Sequence, residues 1–583
     1  MVNAAVTMDI TEELSKLISN SCSPLGYKIL YGEVLNSIEE PKPEFGDLSS
    51  TISFTISKQI GANPNEIAKN IKKEIEREGK GLPKNIESCN VTGGYLNFKF
   101  SQEFFRKVIE KVLSEKERFG SSDFGKGKTA IVEYSQPNIG KPFHVGHIRS
   151  TILGDAVKKI LSFVGYKTIG FNYLGDAGTQ VAKLILGMKI LKELPEIKDE
   201  KDMLNYYVEI HKKIDEKPEL KEEAREILEK IEFGDPEVLK DVKKIQELSM
   251  IGFKRNYNLL DIEFDEITGE SLFIESAKKI VDEALKKGIT FKGKEGEIVT
   301  DLEKYNLPNT ILLRSNGTTL YLTRDLALAE YKYNKYNFDI SLILTDMRQN
   351  LHFQQVFKIL ELLGKPFVKN YLHQGFGLIS LKEGVIATRV GRIVFLEDVL
   401  NRAIKAAEDE ISAGRKKEYN KKETEEIAKI VGIGAAKFSI LRVTPEKDVV
   451  FDFKKMVSFE GDTGVYIQYS CVRAKKILEK LKLHEDEFEI PENCELNETE
   501  RELVKIICKF PSVIAKSAES FRTNIVADYA LDVADSFNKF YEKCPVIQAS
   551  ETEKKSRAAI VYSTKFVLEN SLSLLGIKVP EKM

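Results

Sequence analysis

The stretch Thr129 to Thr151, TAIVEYSQPNIGKPFHVGHIRST, constrains the fold more than any other part of this chain. It opens with a short apolar run typical of a buried strand, and Pro137 and Pro142 then interrupt the chain. From Ile148 onward, apolar residues recur at helical spacing. A strand, a loop and a helix in this order predict a crossover in a parallel α/β sheet. Such a crossover sets the positive end of a helix at the carboxyl edge of the sheet, where a phosphate can bind.

The loop carries residues suited to phosphate chemistry. His144 and His147 can donate hydrogen bonds to phosphoryl oxygens as charge develops in a transition state. Gly146, between them, leaves room for a flat ring or a phosphate to approach the backbone. A His-x-Gly-His tetrapeptide alone also occurs by chance, so its meaning depends on the residues around it.

The flanking residues resemble the ATP-site segment of class I aminoacyl-tRNA synthetases, and more narrowly the arginyl-tRNA synthetase version. The residues that carry this resemblance are Glu133, Ser135, Pro137, Asn138, Lys141, Pro142, Phe143, His144, Gly146, His147, Arg149, Ser150 and Thr151. A second block, GDAGTQ at 175–180, follows the strand-like run Thr168 to Tyr173, as it does in that family. The resemblance implies a Rossmann-type parallel-sheet catalytic domain of α/β class. It also implies that Lys141, His144 and His147 are catalytic and that Pro142, Phe143 and Gly146 bind ATP.

Size and composition describe an ordinary globular protein of several units. A chain of 583 residues is too long for one core and predicts three or four units. Charged residues make up 31% and the net charge is −2, which neither indicates nor excludes nucleic-acid binding, because local basic patches decide that affinity. The six cysteines form no Cys-x-x-Cys pair, so we expect a reduced protein without a cysteine-built zinc site. Without a signal-like start or a long apolar run, we expect a cytoplasmic protein that does not contact membranes.

The pattern along the chain predicts three domains. Residues 1–120 read as an α+β unit with a helix from Asp9 to Ser19 and a strand from Tyr27 to Val34. This unit resembles the N-terminal domain of arginyl synthetases, which contacts the tRNA elbow, and Phe45 lies in the matching loop. Residues 121–422 form the predicted catalytic domain. Its charged helical insertion, at about 189–256, reads as a solvated addition at the sheet edge without chemistry of its own.

Residues 423–583 show amphipathic helices throughout, including one expected over 498–519, and predict an α-helical bundle. The segment GDTGVYIQYSCVRAKKIL and the chain's last residues resemble the anticodon-binding domain of arginyl enzymes. Single-stranded loops are recognised by aromatic and arginine faces. The residues that could provide such faces are Tyr466, Tyr469, Arg473 and Tyr541, with Met583 at the end of the chain. The alternative is that tyrosines at helical spacing are ordinary core residues.

Selection of arginine can be argued from its side chain. A guanidinium offers five donors in one plane, and a selective site needs carboxylates that accept bidentate pairs. Glu133 and Asp325 are suitable, although each alone reads as readily as part of an ordinary salt bridge. The resemblance implies that these two, with Tyr321, hold the guanidinium, and that Asn138 and Gln349 hold the α-amino group. Gln136 stands where the family often has a second serine beside the amino acid, which implies rearranged polar contacts to the α-amino end.

The chain departs from the family at GVIATRVGRIVF, residues 384–395. Related enzymes carry a lysine in this loop that grips the triphosphate, and here Val390 stands in its place. Phosphoryl transfer depends on positive charge around the transferring group, so another cation must supply it. Family members without the loop lysine keep one at the position of Lys141, which implies that Lys141 has this role, with Arg389 and Arg392 as ATP-binding helpers.

The resemblance implies an arginine–tRNA ligase that acts as a monomer on L-arginine, ATP and tRNA(Arg), with activation dependent on bound tRNA. Mg²⁺ would be held mainly by the triphosphate, with no protein metal site. Two other functions remain open. One is an adenylyltransferase that shares the His-x-Gly-His loop, which would need only one compact domain. The other is an RNA-binding protein without catalysis, which the altered phosphate loop makes conceivable.

Overall fold

A computed structural model describes residues 7–77, 81–382, 394–415, 419–481, 483–484 and 487–583. Its amino-terminal part is an antiparallel sheet with strand order β1-β2-β4-β3, covered by helices. Its elements are α1 (Thr7–Cys22), α2 (Tyr31–Asn36), β1 (Ile38–Glu39), β2 (Leu48–Ser50), α3 (Ile52–Ile60), α4 (Pro64–Ile75), β3 (Ile86–Thr92), β4 (Tyr95–Phe100) and α5 (Gln102–Glu115). Gly93 and Gly94, both at positive φ, make the tight turn between β3 and β4.

The expected strand from Tyr27 to Val34 is wrong. The chain leaves a short 3₁₀ turn and enters α2 at Tyr31. The Glu33 carboxylate accepts a hydrogen bond of 2.7 Å from the Leu30 backbone N–H, a capping contact that starts the helix. Leu30 is 73% exposed, whereas Val34 is fully buried, so the apolar residues of this run reach the core from a turn and a helix rather than from a strand.

The central part, predicted above to be catalytic, is built on a parallel sheet with strand order β12-β11-β5-β6-β7. The strands and helices of this part are β5 (Thr129–Glu133), α6 (Ile148–Phe163), β6 (Lys167–Leu174), α7 (Thr179–Ile190), α8 (Glu200–Glu216), α9 (Leu220–Glu232), α10 (Pro236–Leu260), β7 (Glu266–Gly269), α11 (Ile274–Lys286), β8 (Thr290–Lys292), β9 (Ile298–Thr300), β10 (Thr310–Leu313), α12 (Tyr321–Tyr336), β11 (Ile340–Asp346), α13 (Asn350–Leu362), β12 (Tyr371–Phe376) and β13 (Ile379–Leu381). Strand order reverses between β5 and β11, and ligands bind in the crevice that such a reversal opens at the carboxyl ends of the strands.

The carboxyl-terminal part is helical. Its elements are α14 (Leu396–Arg415), α15 (Lys421–Leu441), β14 (Val449–Phe451), α16 (Phe453–Met456), α17 (Gly464–Leu481), α18 (Glu498–Cys508), α19 (Phe510–Ser520), α20 (Asn524–Lys543) and α21 (Glu551–Leu574). The single helix expected over 498–519 is wrong, because the chain changes direction at Lys509 and starts a new helix. Pro511 lies in the first turn of α19, where its missing N–H is harmless.

The α/β class, with an amino-terminal α+β unit and a carboxyl-terminal helical bundle, is confirmed.

Helix α6 and strand β5 pack closely at Gly154. A Cβ atom on Gly154 would lie 2.1 Å from Tyr134 Cγ, so helix and sheet meet at a distance that only glycine permits. In the described ranges, no helix combines the length and the apolar character needed to cross a bilayer.

We expect Gly154→Ala to destabilise the protein by about 1–3 kcal/mol, because the added methyl group forces α6 away from Tyr134. Thermal unfolding measures the effect. Gly32→Ala is the control, since Gly32 is also helical but has no heavy atom within 4 Å of the added Cβ. Equal Tm changes for the two variants would show that close packing at Gly154 is not the cause.

Candidate active site

The two imidazoles of the His-x-Gly-His loop lie together at the start of α6. Their ring centroids are 4.0 Å apart, and the ring of Phe143 stacks on His147 at 5.0 Å. Nδ1 of His144 accepts a hydrogen bond from Gly146 N–H at 3.1 Å, and Nδ1 of His147 faces the N–H of His144 at 3.4 Å. Because Nδ1 is an acceptor in both rings, a neutral imidazole carries its proton on Nε2. Two Nε2–H donors are therefore available to a phosphate.

Both imidazoles are held in the neutral form. Burial, and then the nearby Lys141 charge, lower the pKa of His144 from 6.5 to about 4. Burial, and then His144, lower the pKa of His147 well below its ordinary value. At neutral pH these rings are hydrogen-bond donors rather than cations, so positive charge must come from other groups. Lys141 is the neighbouring cation, and its Nζ lies 5.1 Å from the centre of the Tyr207 ring.

The backbone is strained where β5 ends. Ser135 and Gln136 both adopt positive φ, 78° and 50°, which is rare for residues other than glycine. Hydrogen bonds hold this turn: the Tyr257 hydroxyl meets Ser135 Oγ at 2.8 Å, and Gln136 N–H donates to Asn172 Oδ1 at 3.1 Å. The strained turn directs Gln136 back toward Glu133, whose Oε1 accepts from Gln136 Nε2 at 2.5 Å.

Glu133 lies at the carboxyl end of β5, is 2% exposed, and is paired with a cation of the protein itself. Its Oε2 accepts a hydrogen bond from Lys332 Nζ on α12. Lys332 is fully buried, and its Nζ lies 5.0 Å and 5.4 Å from the ring centres of Phe171 and Tyr371. Glu133 is thus an anchored carboxylate rather than a free one.

Asp325 lies one turn into α12 and is held by a histidine. Its Oδ2 is 2.6 Å from His352 Nε2, and the Tyr321 ring lies 5.0 Å from the His352 ring. Asp325 and Glu133 both lie near the buried Tyr371 and Tyr173: after the larger effect of burial, the charge of each adds to the raised pKa values of these hydroxyls. Helix α12 links the two acidic residues, because it carries Tyr321, Asp325 and the Glu133 partner Lys332.

A buried charge network continues behind Asp325. Arg324 is 5% exposed and donates to Glu270 at 2.7 and 3.0 Å and to Glu232 at 2.8 Å. Burial raises the pKa of Glu270 to about 7, with Arg324 opposing the shift and Asp325 adding to it. The Tyr173 hydroxyl lies among these charges and has no hydrogen-bond partner among the described residues.

The insertion contributes to this network, contrary to the expectation that it carries no chemistry-related residue. Glu232 ends α9 and accepts from Arg324 and from the Thr319 backbone N–H at 3.1 Å. Tyr207 on α8 lies beside Lys141, and Tyr257 on α10 supports Ser135. Helices α8, α9 and α10 thus each contribute a side chain that contacts a predicted site residue or its neighbours, while other side chains on these helices remain exposed.

The remaining predicted residues of this site are placed as follows. Pro142 and Phe143 are buried, and Gly146 is exposed. A Cβ on Gly146 would lie 2.8 Å from the His144 ring, so the glycine is required for the ring position. Asn138 is exposed and packs on Gly175, and Gln349 is exposed at the start of α13. Arg389 and Arg392 lie outside the described residues. Val394, directly after that segment, accepts a hydrogen bond of 3.2 Å from Val145 N–H.

Four of the five predicted tRNA contacts of the helical part line a cavity of about 700 Å³. Tyr466, Tyr469, Arg473 and Met583 line it, and the Arg473 guanidinium lies between the Tyr469 and Tyr541 rings at 4.8 and 4.6 Å. Met583 is only 2% exposed, whereas Tyr541 is 46% exposed. Phe45, in the amino-terminal part, is 44% exposed.

Comparison with known proteins identifies the family. Residues 108–453 match the model for the catalytic domain of class I (R) tRNA synthetases, 467–583 the DALR anticodon binding domain, and 9–100 the arginyl tRNA synthetase N terminal domain. The chain is 41% identical to the arginine–tRNA ligase of Clostridioides difficile, over 93% of this chain and 94% of that protein. The chain belongs to the arginyl-tRNA synthetase family. It is 38% identical to the ligase of Halothermothrix orenii, over 99% and 100% of the two chains.

Solved structures of the family share the fold over nearly the whole length. The Thermus thermophilus arginyl-tRNA synthetase matches with a TM-score of 0.79 at 25% identity, covering 98% of this chain and 99% of that one. The Plasmodium falciparum arginyl-tRNA synthetase shares the fold at 23% identity, with a TM-score of 0.80 and the same coverage.

Sequence reasoning missed several residues that contact the predicted site residues or one another. These are Lys332, His352, Arg324, Glu270, Tyr173, Glu232 and Tyr257. One signal was available for Lys332, which lies seven positions after Asp325 and therefore on the same face of a helix. Nothing in the sequence marks Glu232 or Tyr257, because their partners lie far away in the chain.

We expect His144 to stay neutral at physiological pH. Because its pKa is lowered to about 4, protonation should occur only in acid. An NMR titration of the Cε1–H resonance, assigned by its loss in His144→Asn, measures the midpoint. A midpoint near the ordinary value of 6.5 would contradict burial of this ring.

Proposed function

We propose that this protein is an arginine–tRNA ligase. It activates L-arginine with ATP to arginyl-adenylate and transfers the arginyl group to the 3′-terminal ribose of tRNA(Arg). The observation that carries the proposal is a cluster of acidic side chains around α12 and the end of β5, together with a loop of neutral imidazole donors at the start of α6. Family membership agrees with this reading of the site.

The charge balance of the pocket favours a cationic substrate. Carboxylates outnumber cations there: Glu133, Glu232, Glu270, Asp176 and Asp325 lie around Arg324 and Lys332. The raised pKa of Glu270 reflects burial and, secondarily, this crowding. A guanidinium that enters between Asp325 and Glu133 would offset the excess and provide in-plane donors to both. An ammonium would leave more of these acceptors unpaired, which is how lysine would be rejected.

Tyr321 would close this pocket, and Asn138, Gln136 and Gln349 would contact the α-amino end of arginine. This part of the proposal rests on position. Asn138 and Gln136 leave the carboxyl end of β5, and Gln349 follows the carboxyl end of β11, so the three frame the crevice where strand order reverses.

The imidazole loop would hold the triphosphate of ATP. Pro142, Phe143 and Gly146 shape the loop, and Nε2–H of His144 and His147 would donate to phosphoryl oxygens. Lys141 would supply the charge that the family's loop lysine supplies elsewhere. Burial, and then Lys183, lower the pKa of Lys141, which shows that this ammonium is already partly removed from water. Arg392 and Arg389 precede Val394, which pairs with the same loop, so chain connectivity favours them as helpers.

The proposed chemistry uses no covalent protein intermediate. The arginine carboxylate attacks the α-phosphorus in line, and pyrophosphate leaves as charge on the phosphoryl oxygens is stabilised by the donors of the loop. The described residues contain no group of three or more His, Cys, Asp or Glu side chains able to hold a metal ion. Mg²⁺ is proposed to bind mainly through phosphate oxygens and water. The tRNA ribose hydroxyl then attacks the adenylate carbonyl and releases AMP.

The tRNA would contact both ends of the chain. Tyr466, Tyr469, Arg473, Tyr541 and Met583 would receive anticodon bases. Four of them line a cavity with aromatic and guanidinium faces, and Tyr541 contacts the Arg473 guanidinium. Phe45 would contact the elbow. We further propose a cytoplasmic monomer with domains at 1–120, 121–422, with its insertion at about 189–256, and 423–583.

Pyrophosphate exchange, measured with and without tRNA, tests the function. A tRNA-dependent ligase should show exchange only when both arginine and tRNA are present, and lysine should not replace arginine. Exchange that needs neither would favour the adenylyltransferase alternative. Binding of tRNA without any exchange would favour an RNA-binding protein, and either result would overturn the proposal.

We expect Asp325→Asn to raise the KM for arginine about 100-fold or more, because it removes one charged partner from a buried pair. The KM for ATP should change little, since Asp325 is paired with His352 and lies apart from the imidazole loop. Steady-state aminoacylation kinetics provide both values. Asp282→Asn, at an exposed carboxylate of α11, is the control. Equal losses for both substrates would remove Asp325 from the arginine pocket.

A further inference from the structure

We propose that Lys332 is a positioning residue for the arginine substrate and that it acts through Glu133. This inference rests on the proposed arginine pocket and adds a residue that the motif comparison does not identify. Lys332 Nζ donates to Glu133 Oε2, and neither side chain is more than 3% exposed. The pair joins helix α12 to strand β5, the two elements that supply the pocket carboxylates.

The ammonium of Lys332 has no access to water. Its Nζ lies over the faces of Phe171 on β6 and Tyr371 on β12, within the range of cation–π attraction. Its hydrogen bond to Glu133 therefore supplies the charge compensation that a buried ammonium requires. A conformation in which Glu133 swings away would leave the ammonium uncompensated, so Lys332 fixes the carboxylate in one position.

The pairing also decides which edge of Glu133 a substrate can reach. Lys332 takes Oε2, and Gln136 Nε2 contacts Oε1 at 2.5 Å. Each carboxylate oxygen has two acceptor sites, so Oε1 can accept a further donor. The guanidinium would therefore meet Glu133 at its Oε1 edge while Asp325, two helical turns before Lys332, accepts from the other side.

Removal of the Lys332 ammonium distinguishes a positioning role, which affects the KM for arginine, from a general structural role, which would affect both substrates. With Lys332→Met, Glu133 is left buried without a cation, and its carboxylate becomes protonated or reorients. We expect the KM for arginine to rise about 10- to 100-fold in tRNA-dependent exchange. The KM for ATP should stay within about twofold, because α12 shares its core cluster with Ile131 of β5, whereas the imidazole loop shares another with Ala130 and Val132. Alternate residues of a strand face opposite sides of the sheet, so Lys332 and the loop lie on different faces.

A double-mutant cycle with Glu133→Gln tests whether Lys332 acts through Glu133. If it does, the double variant Glu133→Gln/Lys332→Met should bind arginine about as weakly as Glu133→Gln alone, since the partner of the ammonium is already gone. Lys332→Arg, which keeps the charge, should recover much of the arginine affinity. Lys335→Met is the matched control, because Lys335 lies on the same helix but forms a partly exposed pair with Glu266 at 2.8 Å.

Two outcomes would overturn the proposal: equal losses for arginine and ATP in Lys332→Met, or additive effects of the two substitutions. Thermal unfolding shows whether Lys332→Met folds. If it does not, the test is the KM for arginine of the double variant compared with that of Glu133→Gln alone. The wild-type protein and Asp325→Asn are assayed in parallel. Arginine-independent exchange by the wild type would refute the ligase assignment itself, whereas a normal wild type with additive variants would refute only the role of Lys332.

Discussion

Compensation of buried charge is the constraint on which this site depends. A carboxylate that leaves water must be paired or hydrogen-bonded, or it becomes protonated. Here the end of β5 holds Glu133 against Lys332, and α12 carries Asp325 against His352. Arg324 satisfies Glu232 and Glu270 behind them. These pairs keep the acidic side chains in fixed positions, yet the carboxylates still outnumber the cations, and this imbalance is what a guanidinium would correct.

The imidazole loop presents hydrogen-bond donors without burying a charge. Neutral rings donate hydrogen bonds without the desolvation penalty of a buried cation, and the backbone N–H groups of Gly146 and His144 select the tautomer that exposes Nε2–H. The loop is fixed on its other side by residues 394–396, since Val394 and Leu396 pair with Val145 and Phe143. The two halves of the catalytic part therefore meet at the imidazole loop.

The insertion shows how a charged helical segment can be more than a solvated face. Most of its side chains give no hint of a role, and mixed charge on helices is ordinarily a matter of solubility. Two of its residues, Tyr207 and Glu232, nevertheless reach inward to Lys141 and Arg324, and Tyr257, directly after it on α10, reaches Ser135. The strained turn at Ser135 and Gln136 persists because such contacts surround it, and strain of this kind accumulates where side chains must be aimed at a ligand.

The sequence by itself determined the crossover at Thr129 to Thr151, the α/β class, the helical carboxyl-terminal part and the family, because periodicity and local motifs are properties of neighbouring residues. It also indicated Glu133 and Asp325 as acidic residues of one site. It misplaced a strand at Tyr27 to Val34, where the chain instead forms α2 from Tyr31, with a capping hydrogen bond from the Leu30 N–H to Glu33. Only the tertiary structure decided that Lys332 pairs with Glu133, 199 positions away in the chain, and that Glu232 pairs with Arg324. Such pairings depend on how distant elements pack, and no local pattern encodes them.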